Sequence, residues 1–145
     1  MGEVREYSSK LIFNLNSADQ AQQAQGAIHT SGFVSPNQPL LATKLGPLAG
    51  VLALVFYKYP ATALALSVFS VVGSLTESAK YNLGLQVDAG FYGLASLRDY
   101  LTNNPEYDSL EVNLPFIDFI DEGTRFVTGY GVVTRVHSGT GWIVL

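Results

Sequence analysis

The chain has 145 residues, enough for one domain that buries roughly two-thirds of the surface exposed by its unfolded form. Charged residues make up 14% where ordinary soluble domains carry about 25%, and the mean hydropathy is +0.22, so part of the surface needs covering by partners or lipid. A net charge of −4 with eight scattered Lys and Arg excludes an electrostatic grip on nucleic acid, and the lack of cysteine excludes disulfides, thiolate metal sites and a cysteine nucleophile.

The start, Met1-Gly2-Glu3, carries no basic-then-apolar leader, and Glu6 stands where a myristoylation signal needs Ser or Thr. The chain is therefore expected to be cytosolic or a mature form. An extracellular or cell-surface place follows if a leader was removed, and membrane association otherwise.

From Arg5 to Asn16, Leu11, Phe13 and Leu15 alternate with Lys10, Ile12 and Asn14, which predicts a strand with one mostly apolar face. Ser17 with Gln20 reads as a capping box, so a helix starts there. Ala18, Ala21, Ala24 and Ala27 give that helix a small-residue stripe, expected to pack against a sheet. Thr30 to Pro39, with one Gly, two Pro and Asn, reads as a loop between this first unit and an apolar one.

The apolar unit is the most distinctive feature: between Leu45 and Thr76 the single charge is Lys58. Pro47 and Pro60 suit the first turns of helices, which predicts a helical hairpin with arms Pro47 to Tyr57 and Ala61 to Lys80 and a bend at Lys58-Tyr59. At the bend, Lys58 should be exposed or paired. The first arm, Leu45 to Tyr57, falls short of the roughly 20 apolar residues of a membrane span, and a single span would bury Lys58 near mid-bilayer. A helix apolar on all sides, as Ala61 to Val72 is, must be enclosed by protein or lipid.

Leu83, Val87, Phe91, Leu94, Leu97 and Leu101 recur at helical spacing, which predicts a helix from Thr76 to Asn103 ending before Asn104-Pro105. Gly84, Gly90 and Gly93 predict a break near Gly90 or close contact with a neighbouring helix; a short strand at Leu83 to Val87 is the other reading. The last zone is β. Leu110, Val112, Leu114 and Phe116 alternate with polar positions and Pro115, Asp121-Glu122-Gly123 turns into a strand carrying Phe126 to Val136, and Ser138 to Gly141 turns into Trp142 to Leu145. Pro115 belongs at an edge or bulge, and Gly129 and Gly131 mark a bulge or a close backbone approach.

Chemistry is sparse. His29 and His137 stand apart, no G-x-S-x-G elbow occurs, and Gly129-x-Gly131 and Gly139-x-Gly141 lack the third glycine and following helix of a phosphate loop. The acidic block Asp99, Glu106, Asp108, Glu111, Asp118, Asp121 and Glu122 contains no basic residue. It reads as a solvated face, as a Ca²⁺ site through Asp118, Asp121 and Glu122 that matches no EF-hand spacing, or as partner of Arg125 and Arg135 in the sheet or between subunits.

The sequence thus predicts one α+β domain over residues 1–145: an N-terminal strand and helix (5–30), a central hydrophobic helical hairpin within an apolar helical region (39–103), and a C-terminal antiparallel β-meander (108–145). The expected function is that of a non-enzymatic self-assembling structural or interaction protein, with copies of itself as partner and no cofactor or metal. The alternative is a membrane-active protein, similar in kind to a pore-forming toxin or bacteriocin, whose hairpin enters the bilayer. An enzyme or small-ligand binder with a site assembled from distant residues ranks third. The candidate assembly or insertion residues are Leu52, Leu54, Phe56, Tyr57, Lys58, Leu64, Leu66, Phe69 and Val72.

Overall fold

The computed structural model describes residues 2–145 and has the expected α+β architecture, while several local patterns fold differently. Strand β1 (Val4–Phe13) leads into helix α1 (Leu15–Ile28). The cap lies one turn earlier than the sequence suggests. Asn14 accepts from the Ser17 amide at 2.7 Å while Ser17 Oγ accepts from the Asn14 amide at 3.0 Å, so the reciprocal box is Asn14 with Ser17 and not Ser17 with Gln20.

The stretch read as a loop holds more structure than its Gly and Pro content implies. His29–Val34 forms a π-helical turn, and Asn37 caps α2 (Gln38–Leu45) through the Leu40 amide. A 3₁₀ turn, Gly46–Leu48, joins α2 to α3 (Ala49–Phe56), so the helical run is longer than the arm inferred from Leu45 to Tyr57. The run Gln38–Phe56 covers 19 residues at mean hydropathy 1.7, long and apolar enough by length and composition to cross a membrane. Its inner side, from Leu41 through Leu45, Leu48, Val51, Leu52 and Val55 to Phe56, nevertheless lies in the core.

Helix α4 (Ala61–Gly73) completes the hairpin. It stops seven residues short of the predicted Lys80, because Thr76 caps a new helix through the Ala79 amide at 3.2 Å. That helix, α5 (Glu77–Asn103), runs 27 residues without a break. Two of its glycines mark close backbone contact: a Cβ on Gly90 would collide with the Val127 carbonyl oxygen, and one on Gly93 with that of Gly129.

The sheet is antiparallel, with β2 (Ser109–Phe119) at its centre. β1 pairs along the whole of β2 on one side, from Val4 opposite Phe119 to Phe13 opposite Leu110. On the other side β3 (Thr124–Val127) and β4 (Val132–Ser138) follow one another, and β5 (Gly141–Val144) folds back on β4. The single strand expected from Phe126 to Val136 is thus interrupted at Thr128 to Gly131. Pro115 explains part of this: it lies opposite Ser8, its carbonyl accepts from the Thr128 amide at 3.0 Å, and its missing N–H faces the interruption. Gly123, at φ +67°, makes the β2–β3 turn.

One apolar core draws on all five helices and strands β1 to β4. The alanine stripe of α1 packs mainly along α5, and not on the sheet. Buried Gln25 joins the two to the outer edge of β3, donating to the carbonyls of Val87 at 3.0 Å and Val127 at 2.6 Å. α5 therefore covers a strand edge that no other strand pairs with.

Candidate functional site

The hairpin is held by its end. The last carbonyls of a helix lack partners within it and carry the negative end of its dipole, so a cation there is stabilising. Arg125, only 1% exposed, fills this place for α3: Nε donates to the Val55 carbonyl at 2.9 Å and Nη2 to that of Leu54 at 3.1 Å. Thr124 Oγ1 donates to the Phe56 carbonyl at 2.9 Å. Two adjacent β3 residues thus close the end of a helix some 70 positions earlier.

The guanidinium is sandwiched, with its carbon 3.7 Å from the ring centres of both Tyr57 and Phe116. Tyr57 adopts a left-handed backbone at φ 62°, which costs a non-glycine residue roughly 1–2 kcal/mol. Stacking on a desolvated cation, at about 2 kcal/mol, offsets that cost. Tyr7 completes the seat: its hydroxyl accepts from Arg125 Nη1 at 3.0 Å and donates to Asp118 at 3.4 Å. Burial, and then the neighbouring Tyr57 phenol, push the Tyr7 phenol above its ordinary pKa, while Arg125 pulls it down. Asp118 in turn meets Arg5 at 3.4 Å.

Two members of the acidic block, Glu111 and Asp118, find their partners within the sheet. Asp118 faces Arg125 across the ladder with Tyr7 bridging them, and Glu111 binds Arg135 at 2.9 Å. The Arg135 and Thr134 hydrogen bonds hold the Glu111 carboxyl below the usual carboxylate range. Asp118 is buried and engaged while Asp121 is exposed, and among the described residues no group of three or more His, Cys, Asp or Glu is placed to hold a metal ion.

The nine candidate hairpin residues divide by burial. Leu52, Phe56 and Leu64 are fully buried in the protein's own core, Lys58, Phe69 and Val72 are half-buried, and Leu54, Tyr57 and Leu66 are exposed. Of the residues expected to serve assembly or insertion, these first three are turned inward in this conformation and could meet a partner or lipid only if the hairpin opened. Lys58 sits at the expected bend, with its amine 3.0 Å from where a Cβ on Gly123 would stand. Tyr59 joins the exposed group at 60%. No protein-family model, curated protein or solved structure matches this chain. The functional reading rests on geometry alone.

Sequence reasoning missed Arg125 as the organising residue of the hairpin. Its signal was present: a lone Arg in an apolar strand, Phe126 and Val127 following, is out of pattern for a charged residue unless a partner awaits it.

Proposed function

We propose that this chain is a non-enzymatic self-assembling structural or interaction protein that uses the outward side of its apolar hairpin against neighbouring copies. The observation that supports this is the exposure of large apolar side chains on a chain poor in charge: Leu54 at 43%, Tyr57 at 50%, Tyr59 at 60% and Leu66 at 59% all lie on α3, α4 or their connection. Covering these would remove apolar area from water at about 25 cal/mol per Å².

The test is the size of the protein in detergent-free buffer, by light scattering over a dilution series. Wild type should be oligomeric and Leu66→Glu should be smaller. Because Leu66 is exposed, the substitution should change folding stability by no more than about 0.5 kcal/mol. A wild-type protein that stays monomeric at all concentrations rejects the reading.

The second reading is membrane activity, favoured by the 19-residue apolar run Gln38–Phe56. Insertion of the hairpin would have to strip Arg125 from two carbonyls, those of Leu54 and Val55, and from the Tyr57 ring. Liposome leakage by the monomer, absent in a variant whose hairpin is locked to the sheet by an engineered disulfide, would support it.

A further inference from the structure

β1 is an edge strand whose outer row of backbone groups can be assigned residue by residue. In an antiparallel ladder, successive residues turn their N–H and C=O to opposite sides. The Ile120 amide donates to the Glu3 carbonyl at 3.1 Å, one step beyond the pairing of Val4 with Phe119, so the odd-numbered residues of β1 bond to β2. The Thr128 amide on the Pro115 carbonyl confirms the phase from the far side of β2, since Pro115 stands opposite Ser8. Val4, Glu6, Ser8, Lys10 and Ile12 therefore direct their N–H and C=O away from the sheet. Their side chains share one face, and all five are exposed.

Such a row is a template for another strand, and proteins usually protect it. Here the alternate residues read apolar, acidic, neutral, basic, apolar, which is complementary to its own reverse. We infer that β1 pairs antiparallel with β1 of a second copy about a two-fold axis at Ser8. This deepens the self-assembly reading and rests on it. Val4 then stands opposite Ile12 of the partner subunit, Glu6 opposite Lys10 of the partner subunit, and Ser8 opposite Ser8 of the partner subunit, with the same pairs repeated by symmetry.

Charge selects this register. Moving the axis by one residue, to Tyr7 or Ser9, leaves Glu6 and Lys10 opposite Ser8 or an apolar residue and forfeits both ion pairs. Moving it by two sets Glu6 against Glu6 or Lys10 against Lys10, where like charges directly opposite are destabilising. Within the protomer, among the described residues, neither Glu6 nor Lys10 forms an ion pair. Lys10 lies within Coulomb reach of Glu111 without pairing with it, so both charges can turn to a partner, and the two sheets join into one.

The test is a charge swap read by sedimentation equilibrium on the full chain. Glu6→Lys and Lys10→Glu each turn two attractive pairs into two repulsive ones, so each single variant should raise the dissociation constant roughly tenfold or more. The double variant should return it to within a few-fold of wild type. Because both side chains are exposed, circular dichroism should show unchanged folding.

Position 8 supplies an independent readout, since the chain has no native cysteine. Residues opposite each other in a hydrogen-bonded antiparallel pair have Cα atoms about 5.5 Å apart, inside the range a disulfide spans. Ser8→Cys should give a covalent dimer under copper-phenanthroline oxidation, and Thr140→Cys, in the β4–β5 turn, should not. An oligomer whose size ignores both single charge variants, or one in which the double variant is no tighter than the singles, overturns the β1 pairing and leaves self-assembly through another surface standing. A chain monomeric at every concentration overturns both.

Discussion

Arg125 shows how one side chain can fix the relation between two structural units. Its three hydrogen bonds go to the Leu54 and Val55 carbonyls at the end of α3 and to the Tyr7 hydroxyl, and its flat guanidinium fits a slot between Tyr57 and Phe116 that a lysine ammonium cannot fill. Arg125→Lys keeps the charge, yet should lower stability by about 2 kcal/mol or more in urea denaturation, because hydrogen bonds to charged groups are worth about 1.5–3 kcal/mol each. Glu111 gives a pH-dependent counterpart. Its carboxyl has a lower pKa folded than unfolded, so its contribution is present above about pH 4.5 and is lost as pH falls through the folded value. Melting temperatures measured from pH 7 down to pH 3 should fall less steeply for Glu111→Gln than for wild type.

At the scale of elements, α5 depends on what its glycines touch. Replacing Gly by Ala in a helix interior gains up to about 1 kcal/mol in propensity, whereas forcing an atom into a packed contact costs about 1–3 kcal/mol or more. Gly90→Ala would set its Cβ against the Val127 carbonyl, which is backbone and cannot swing aside, so the loss should win. Gly73 has nothing within 4 Å of its Cβ position, and Gly73→Ala should be neutral or stabilising. Thermal unfolding of the pair checks this. The same residues show what a sequence can and cannot disclose. Alternation along β1 and β2, the turn at Gly123 and the helix stop before Pro105 are local signals and were legible. The continuity of α5 was not, because three glycines weaken a helix unless a neighbour rewards the close approach, and that neighbour lies some 37 positions further on at Val127. The α4 boundary was readable in principle from Thr76 followed by Glu77, an N-cap with an acidic first turn, but the uncharged run from Tyr59 to Leu75 masked it.

For the whole molecule, the apolar stretch that dominates the sequence turns out to be mostly self-covered. Leu52, Val55, Phe56, Leu64, Ala65, Val68 and Val71 are all nearly or fully buried, so a chain of this size encloses more of the stretch than its composition suggested. Among what remains outside are four large side chains on the hairpin and an open β1 edge, two surfaces of different chemistry. If both join copies, Leu66→Glu and Glu6→Lys remove separate contacts, and the double variant should be smaller in solution than either single variant. Light scattering on the three proteins measures this directly.

The seat of Arg125 also has a consequence in time. A ribosome releases a chain from its N-terminus, and the partners of this arginine are separated from it by 71 residues at Leu54 and 118 at Tyr7. At 5–20 residues per second, about 4–14 s pass between the emergence of Leu54 and that of Arg125. For the later part of that interval, once Gly73 is out, the hairpin exists without β2 and β3, which cap and cover it. The nascent chain is then far more apolar on its outside than the finished protein, and whatever meets it in those seconds, be it a chaperone, a lipid surface or another nascent copy, meets a molecule quite unlike the one that folds.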